Sequence, residues 1–386
     1  MRWEKVKLGD ISDSIQTDPF GSQLHQSDYS EVGIPVVMPK DLQDGRIVEN
    51  SIARVEESHV ERLSRYKIKE GDIIYSRRGD VGRCAFVYRK QNGWLCGTGC
   101  LCVTIDDKKA DAKFVFYHLQ LAEIIGWVKN HAIGSTMLNL NTSILESVPI
   151  KLPKLDIQHR IVSILSTYDD LIENNKKQIK LLEEMAQRLY REWFVDLRFP
   201  GYEDVEIVNG VPEGWSNAQL DMVGKFRRGK TITRADIVDG DVAVVAGGIE
   251  PAYYNNVSNT EAPVITISAS GANAGFVRMY YKRVWASDCS YVDKNHTNHI
   301  YYLYCFLKDN KVRIDNLQKG AAQPHVYAKD INALEMLVPS SDLLTSFDSV
   351  AEPIFTKIKS CDEIIERNIQ MRDKLLPYLM IGKLEV

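Results

Sequence analysis

The sequence contains one pattern twice, and this repeat constrains the fold more than any other feature. When the 386-residue chain is shifted by 186 residues, the apolar pattern and several identities come into register, including Gly134 with Gly320 and Pro153 with Pro339. At the beginning of each copy the offset is 212, where Trp3 matches Trp215. The sequence therefore predicts a tandem pseudo-repeat with an insertion or deletion of tens of residues between these anchors.

Each copy has a β-rich first part and a long helical second part. Short β-branched or alternating runs such as "DIIYS", "CLCVTI" and "PVITISAS" lie between Gly, Asn and Asp turns, which is typical of mixed β structure. In the second parts apolar residues recur in alternating steps of 4 and 3, a period that specifies a left-handed coiled coil. We therefore predict an α+β chain with domains at 1–154 and 199–340, the latter including a linker at 199–212, and helices at 155–198 and 341–386.

Two apolar stripes run along the predicted helices. The first is the coiled-coil seam, in which Asn175 is expected to fix the register at a cost in stability. The second stripe is left for contact with the chain's own domains or for docking of another protein. The seam is assigned to Ile161, Leu165, Tyr168, Ile172, Asn175, Ile179, Leu182, Leu189, Ile354, Ile358, Ile365, Asn368, Leu375 and Leu379. The candidate docking residues are Leu181, Met185, Tyr190, Phe194, Ile364 and Met371.

Residues 224–231, "GKFRRGKT", match the phosphate-binding loop of nucleotide-binding proteins. A working loop of this kind needs a buried strand before it and a helix after it, and the flanking "NAQLDMV" and "ITRADIVDGD" fit neither. The first copy has no Gly-Lys at this place, so an ATPase is disfavoured. Contact with DNA phosphates is the better interpretation, and a solvated surface loop is the alternative. The candidate residues are Lys225, Arg227, Arg228 and Lys230.

A Gly-rich turn follows an apolar strand in both copies, as "SRRGDVGR" (76–83) and "SASGANAG" (268–275). Arginine matches guanine O6 and N7, and asparagine matches adenine N6 and N7, so unlike residues at equivalent positions suit domains that read different sequences. A polar hairpin turn is the alternative. The candidates are Arg77, Arg78, Arg83, Ser270 and Asn273, with Asn139 and Asn141 as weaker ones.

Composition and the remaining motifs narrow the function. The formal charge of -4, the lack of an apolar run of about 18 residues, and the absence of a signal-peptide pattern predict a cytoplasmic chain that does not enter a membrane. Cys96, Cys100 and Cys102 lie in a run that reads as a buried strand, so no metal is expected. We find no cofactor-binding or nuclease motif, so the chain alone is expected to be non-catalytic.

Over essentially its whole length the chain resembles the specificity subunit of type I restriction–modification systems. The resemblance is carried, in order, by "WEKVKLGDI" (3–11), "GDIIYSRRGDVGRCAFV" (71–87), "GSTMLNLNTSILESVPIKLPKLDIQHRI" (134–161), the helix at 171–201, "VPEGW" (211–215) and "RDKLLPYLMIGKLEV" (372–386). One departure is visible, since "DIQHR" (156–160) at the start of the first helix corresponds to "DLLTS" (342–346) in the second copy.

This resemblance implies two target-recognition domains, each of which reads one half of a split sequence in double-stranded DNA. It also implies that the two helices are antiparallel, set the gap between the halves and dock two methyltransferase subunits. Restriction subunits would join through the complex, which would act as an adenine-specific methyltransferase and endonuclease. S-adenosylmethionine and ATP are then expected only on the partner subunits. The rival hypothesis is a coiled-coil scaffold whose β-rich domains bind protein.

Overall fold

A computed structural model describes residues 3–19, 23–134, 138–320 and 323–386. Two compact units are formed: unit 1 combines residues 1–172 with 366–386, and unit 2 comprises residues 173–365. Of the predicted stretches, residues 135–137 of "GSTMLNLN" lie outside the described residues. No helix in the described ranges is both long and apolar enough to cross a membrane.

Unit 1 contains twelve short strands and four short helices among its described residues. The strands are β1 (Glu4–Lys7), β2 (Ser12–Thr17), β3 (Tyr29–Ser30), β4 (Ile34–Val37), β5 (Leu42–Gln43), β6 (Arg46–Ile47), β7 (Ala53–Val55), β8 (Ile73–Ser76), β9 (Cys84–Phe86), β10 (Leu95–Cys96), β11 (Cys100–Ile105) and β12 (Pro149–Leu152). The short helices are α1 (Glu57–Arg62), α2 (Ala112–Leu119), α3 (Ala122–His131) and α4 (Thr142–Glu146). The long helix α5 (Leu155–Phe194) follows, and its residues 155–172 belong to unit 1.

Unit 2 repeats this order with fewer strands. They are β13 (Ile207–Val208), β14 (Val211–Pro212), β15 (Ser216–Gln219), β16 (Arg227–Arg228), β17 (Val242–Val245), β18 (Tyr253–Asn255), β19 (Val264–Ser268), β20 (Val277–Tyr280), β21 (Trp285–Ala286), β22 (Cys289–Asp293) and β23 (Glu335–Val338). The helices are α6 (Ile300–Asp309), α7 (Lys311–Asp315), α8 (Ala328–Asn332) and the long α9 (Ser341–Met380). Both α5 and α9 have 40 residues, and the last part of α9 belongs to unit 1.

The sheets of the two units have the same topology, which confirms the tandem pseudo-repeat. An antiparallel sheet has the order β2-β11-β8-β9 in unit 1 and β16-β22-β19-β20 in unit 2. A second sheet pairs β10 with β4 and β7 in unit 1, and β21 with β17 and β18 in unit 2. The pairs β1-β12 and β15-β23 form a further two-stranded sheet in each unit. The β-rich domain of unit 1 is longer than that of unit 2, because among the described residues β3, β5, β6 and α1 have no counterpart in unit 2.

In unit 1 the beginning of α5 packs beside the end of α9, so the helices are antiparallel there. Ile161 and Leu165 share a buried cluster with Leu379. A buried polar network joins the same elements: Asp169 of α5 accepts hydrogen bonds from Tyr117 Oη of α2 at 2.5 Å and from Arg372 Nη1 of α9 at 2.9 Å. Arg372 of α9 thus has a carboxylate partner on α5.

In unit 2 the end of α5 packs beside the beginning of α9. Tyr190 and Phe194 are only 4% and 9% exposed. The Phe194 ring lies 4.8 Å from that of Tyr302 and 5.1 Å from that of Phe347. The prediction that Tyr190 and Phe194 dock a partner is therefore wrong, because both side chains are buried in the core of their own unit.

The other helix residues divide into a covered seam and an exposed stripe. Leu181, Met185, Ile364 and Met371 are exposed, at 64%, 50%, 36% and 43% respectively. The predicted seam positions are buried at Ile161, Leu165, Ile172, Asn175, Ile354, Ile358, Ile365 and Leu379, and half-buried at Tyr168, Ile179, Leu182, Leu189, Asn368 and Leu375.

The two long helices begin differently, as the sequence departure suggested. Gln158 is buried, its Oε1 accepts from Asp111 N at 2.8 Å, and its Nε2 donates to Pro153 O at 2.8 Å. At the corresponding place in α9 stands Leu344, which packs in the apolar core of unit 2. The side-chain amide that joins the segment before α5 to the start of α2 in unit 1 is thus replaced in unit 2 by a buried apolar side chain.

Candidate nucleic-acid interface

Two turns occupy equivalent positions in the units: turn 1, residues 77–79 after β8, and turn 2, residues 269–271 after β19. The register of the antiparallel sheets establishes the equivalence, because Ser76 pairs with Cys100 and Ser268 pairs with Cys289. In both turns the third residue is a glycine with positive φ, +75° at Gly79 and +79° at Gly271. Only glycine adopts this conformation without strain, so the turn geometry is fixed by sequence in both copies.

The same backbone hydrogen bonds hold both turns. Each turn lies between the residue that precedes the neighbouring strand of the sheet, β11 or β22, and a loop that precedes α4 or α8. In turn 1, Arg77 N donates to Gly99 O (2.7 Å), Leu140 N donates to Arg77 O (2.8 Å), and Gly79 N donates to Leu138 O (3.1 Å). The corresponding bonds of turn 2, in the same order, run from Ala269 N to Asp288 O (3.2 Å), from Val326 N to Ala269 O (3.0 Å), and from Gly271 N to Pro324 O (3.1 Å).

The first arginine of turn 1, Arg77, forms an ion pair within its own unit. Arg77 Nη1 lies 2.5 Å from Asp18 Oδ1, and the two side chains are only 12% and 3% exposed. The other carboxylate oxygen of Asp18 accepts from Gly99 N at 2.8 Å. Arg77 therefore braces the turn, and the hypothesis that it reads a base is not supported by this geometry.

Arg78 is the arginine of turn 1 that faces solvent. It forms an isolated β-bridge with Asn139, as Ser270 of turn 2 does with His325. Arg83 is also exposed, but its Nε lies 2.7 Å from Asp80 Oδ2 in a surface ion pair. Asn141 caps α4 by accepting from Ile144 N at 2.8 Å, which explains this residue structurally. Arg78 with Asn139 is thus the better candidate pair in unit 1.

Turn 2 carries different chemistry on the same backbone. The Ser270 hydroxyl donates to the Asp288 carboxylate. Gly247 leaves room for this pair, since a Cβ there would stand 3.1 Å from Ser270 Oγ. Asn273 lies half-buried in the short 3-10 turn that follows. The ring of His325 stacks on that of exposed Tyr327, with centroids 6.0 Å apart.

The four cations predicted to meet phosphates are all exposed, on or beside the edge strand β16. Lys230 lies over Trp285, with Nζ 6.0 Å from the ring centroid, and Trp285 Nε1 donates to Lys230 O. A Cβ at Gly229 would stand 2.3 Å from Ser287 O, and one at Gly224 would stand 2.4 Å from Leu303 Cδ1. Gly224 therefore leaves room for a leucine of α6, and Gly229 leaves room for the backbone before β22. A 3-10 turn at Arg234–Asp236 follows where a phosphate-binding helix would begin.

Sequence reasoning missed the carboxylates of both turns. The register places Asp18 level with Gly229, and Gly99 level with Asp288, because Asp18 N and Gly229 N donate to Cys100 O and Cys289 O respectively. An aspartate and a glycine have thus exchanged places between the copies. The sequence offset drifts from 212 to 186 across the domain, so this exchange could not be aligned before the strand pairing was known.

Of the three cysteines in the predicted strand run, Cys96 and Cys100 are buried and Cys102 is half-buried. Burial raises the pKa of the Cys96, Cys100 and Cys102 thiols well above the usual value, which disfavours the thiolate that a metal needs. Within the described ranges no group of three or more His, Cys, Asp or Glu side chains is arranged to hold a metal ion.

Comparison with known proteins gives a consistent result. The family model for the type I restriction modification DNA specificity domain matches residues 1–184 and 212–367. The chain is 25% identical to the type I restriction enzyme MjaIX specificity subunit of Methanocaldococcus jannaschii, over all of this chain and 94% of that protein. It is 23% identical to the HindI specificity subunit of Haemophilus influenzae, over 99% of each. The crystal structure of the type I restriction-modification S subunit of M. genitalium has the same fold, with a TM-score of 0.60 and 19% identity over 98% of this chain and 96% of that one.

Proposed function

The chain belongs to the family of type I restriction–modification DNA specificity domains, and from that premise we propose that each unit reads one half of a bipartite DNA target. The observation that carries the proposal is the pair of turns, which share backbone hydrogen bonds and differ in their side chains. A common framework with Arg78 and Asn139 in one unit, and Ser270 and His325 in the other, is what two domains with different half-sites require.

The exposed cations near β16 would position unit 2 on the DNA backbone. Arg227, Arg228 and Lys230 lie on an edge strand, where their side chains reach a phosphate without disturbing the sheet. Phosphate contacts set the register of a protein on DNA and carry no sequence information themselves. The chain's formal charge of -4 means that partners must supply part of the positive surface.

The exposed helix stripe would dock methyltransferase subunits. Leu181, Met185 and Ile364 of unit 2, and Met371 of unit 1, are large apolar side chains with exposed surface. Exposed apolar side chains of this size on a helix face are typical of protein interfaces. The chain itself would be the non-catalytic specificity subunit of a cytoplasmic complex, with S-adenosylmethionine and ATP bound by partners and restriction subunits joining through that complex.

The experiment is to map methylated adenines in cells that express the chain with a type I methyltransferase partner, and in cells with the partner alone. We expect a new motif of two short half-sites around a fixed gap. Replacing residues 1–154 by the domain of another specificity subunit should then change one half and leave the other. A stable complex that methylates no new motif would contradict the proposal and favour a protein-binding scaffold.

A further inference from the structure

We propose that the Asp288–Ser270 pair of turn 2 is a specificity determinant that accepts a hydrogen bond from the exocyclic amine of a base, cytosine N4 or adenine N6, in the major groove. The inference rests on the proposed function, and it assigns to unit 2 a chemistry opposite to that of unit 1. Turn 1 presents a guanidinium donor, Arg78, whereas turn 2 presents a carboxylate acceptor.

The geometry of the pair leaves the carboxylate able to accept further hydrogen bonds. Asp288 is half-buried directly before β22, and Ser270 donates to its Oδ2. An ionised carboxylate has about four acceptor positions, so one serine donor leaves most of them unused. The Ser270 hydroxyl also fixes the orientation of the carboxylate, as a reading group requires.

Because an aspartate and a glycine have exchanged places between the copies, the carboxylate stabilises the turn in unit 1 and is available to a base in unit 2. In turn 1 the carboxylate comes from Asp18, is 3% exposed, and is neutralised by Arg77. In unit 2, Gly229 occupies the position that Asp18 has in unit 1. A Cβ on Gly229 would stand 2.3 Å from a backbone oxygen, so no aspartate fits there. The residue at the place of Arg77 is Ala269, and Asp288 therefore has no arginine in the turn to neutralise it. A brace needs its counter-charge, whereas an acceptor for a base amine does not.

The cations of β16 explain how a carboxylate is tolerated on a surface that meets DNA. Lys230 N donates to Ala286 O, and Gly229 packs on Ser287, so the cationic strand runs directly beside the segment that ends in Asp288. Arg227 and Arg228 of that strand correspond in sheet register to Gln16 and Thr17 of unit 1, which carry no charge. Unit 2 thus combines an anionic turn with a cationic flank, whereas unit 1 has a cationic turn and a neutral flank.

This arrangement predicts selection by amine position. Each base pair carries one exocyclic amine in the major groove, on adenine N6 or cytosine N4, and its place across the groove depends on the sequence. A base carbonyl in the same place would face the carboxylate with another acceptor and be rejected. The carboxylate therefore selects base pairs at one position of the half-site read by unit 2.

The test is methylation mapping with the complete complex that carries Asp288→Asn, Asp288→Ala or Ser270→Ala. One fixed position in the unit 2 half-site should become degenerate, with discrimination against single-base variants falling by about 5- to 150-fold. The unit 1 half-site in the same molecules is the internal control. Asp241→Asn is the matched control, because it removes one exposed carboxylate directly before β17, whereas Ser270 and Asp288 lie beside Gly247, beyond the other end of that strand. This substitution should leave both half-sites unchanged.

The outcomes separate this inference from the function on which it rests. A unit 2 half-site that stays fully specific in Asp288→Asn and Ser270→Ala overturns the inference while the bipartite motif stands. Loosening of the unit 1 half-site alone also overturns it. If Asp288→Asn does not assemble, Ser270→Ala decides, since it keeps the charge and removes only the orienting hydroxyl. Failure of the unsubstituted complex to produce a split motif would instead refute the proposed function.

Discussion

Adjacent arginines of turn 1 have different surroundings, and their substitutions should therefore have different consequences. Arg77 is 12% exposed and ion-paired with Asp18, which is 3% exposed. Removing one member of a buried pair leaves the other charged and desolvated, which typically costs 3–5 kcal/mol, or about half of a domain's stability. Arg78 is exposed, and truncation of an exposed side chain on a surface turn is usually close to neutral for stability.

We therefore predict that Arg77→Ala lowers the free energy of unfolding of unit 1 by about 3 kcal/mol. Arg78→Ala should leave stability unchanged and relax the first half-site by about 1–3 kcal/mol of discrimination. Thermal denaturation and methylation mapping of the same two variants measure both effects. The double variant Asp18→Asn with Arg77→Gln should recover part of the lost stability; equal stability of Arg77→Ala and Arg78→Ala would contradict this division of roles.

The sequence located both turns, because an arginine pair or a serine followed by a glycine after an apolar strand is a local signal. It did not separate Arg77 from Arg78, since burial of a side chain depends on which distant residue lies opposite. Asp18 is 59 positions from Arg77, and Asp288 is 18 positions from Ser270, so each pairing follows from strand order and from no local pattern.

Among the elements, α2 is joined to β12 through a histidine that must stay neutral. His118 is 1% exposed, and its Nε2 accepts from Lys151 N at 3.1 Å. Burial lowers the pKa of His118 to about 4, because the charged imidazolium is poorly solvated there. In the unfolded chain the same group has a pKa near its ordinary value of about 6.5.

Between pH 6.5 and 4 the unfolded state thus binds the proton that the folded state refuses, and stability is lost as the pH falls. We expect His118 to account for about 3 kcal/mol of destabilisation across this window. The measurement is the free energy of unfolding against pH for the unsubstituted protein and for His118→Gln, whose amide oxygen can still accept from Lys151 N. An unchanged slope in His118→Gln would show that other groups carry the acid sensitivity.

The heptad pattern indicated both long helices because it is a local, repeated signal, although α5 begins at Leu155, before the first seam residue, Ile161. The same pattern failed at Tyr190 and Phe194. A helical stripe shows that two faces are apolar, but it does not show which partner covers each face. In unit 2 the cover is α6 through Tyr302 and α9 through Phe347.

At the scale of the whole molecule, the two copies are joined in a cyclic manner. Each unit combines one β-rich domain, the beginning of one long helix and the end of the other. In unit 2 the end of α5 leads through residues 199–212 into the domain, and Trp215 packs on Phe194 and Phe199, with ring centroids 6.0 and 5.3 Å away. In unit 1 the end of α9 meets the start of the domain without a covalent link, since a Cβ on Gly382 would stand 2.8 Å from Trp3 Nε1.

This symmetry predicts that a circular permutant keeps the specificity of the parent. A short Gly-Ser link from Val386 to Met1, with the chain opened between Asn209 and Gly210, cuts only the exposed turn between β13 and β14. Both units keep their cores, so the mapped motif should retain both halves and the same gap. A control opened between Asn175 and Lys176 interrupts α5 at a buried seam residue and should lose methylation. Loss of either half-site in a folded permutant opened at 209 would show that residues 199–212 do more than connect the two copies.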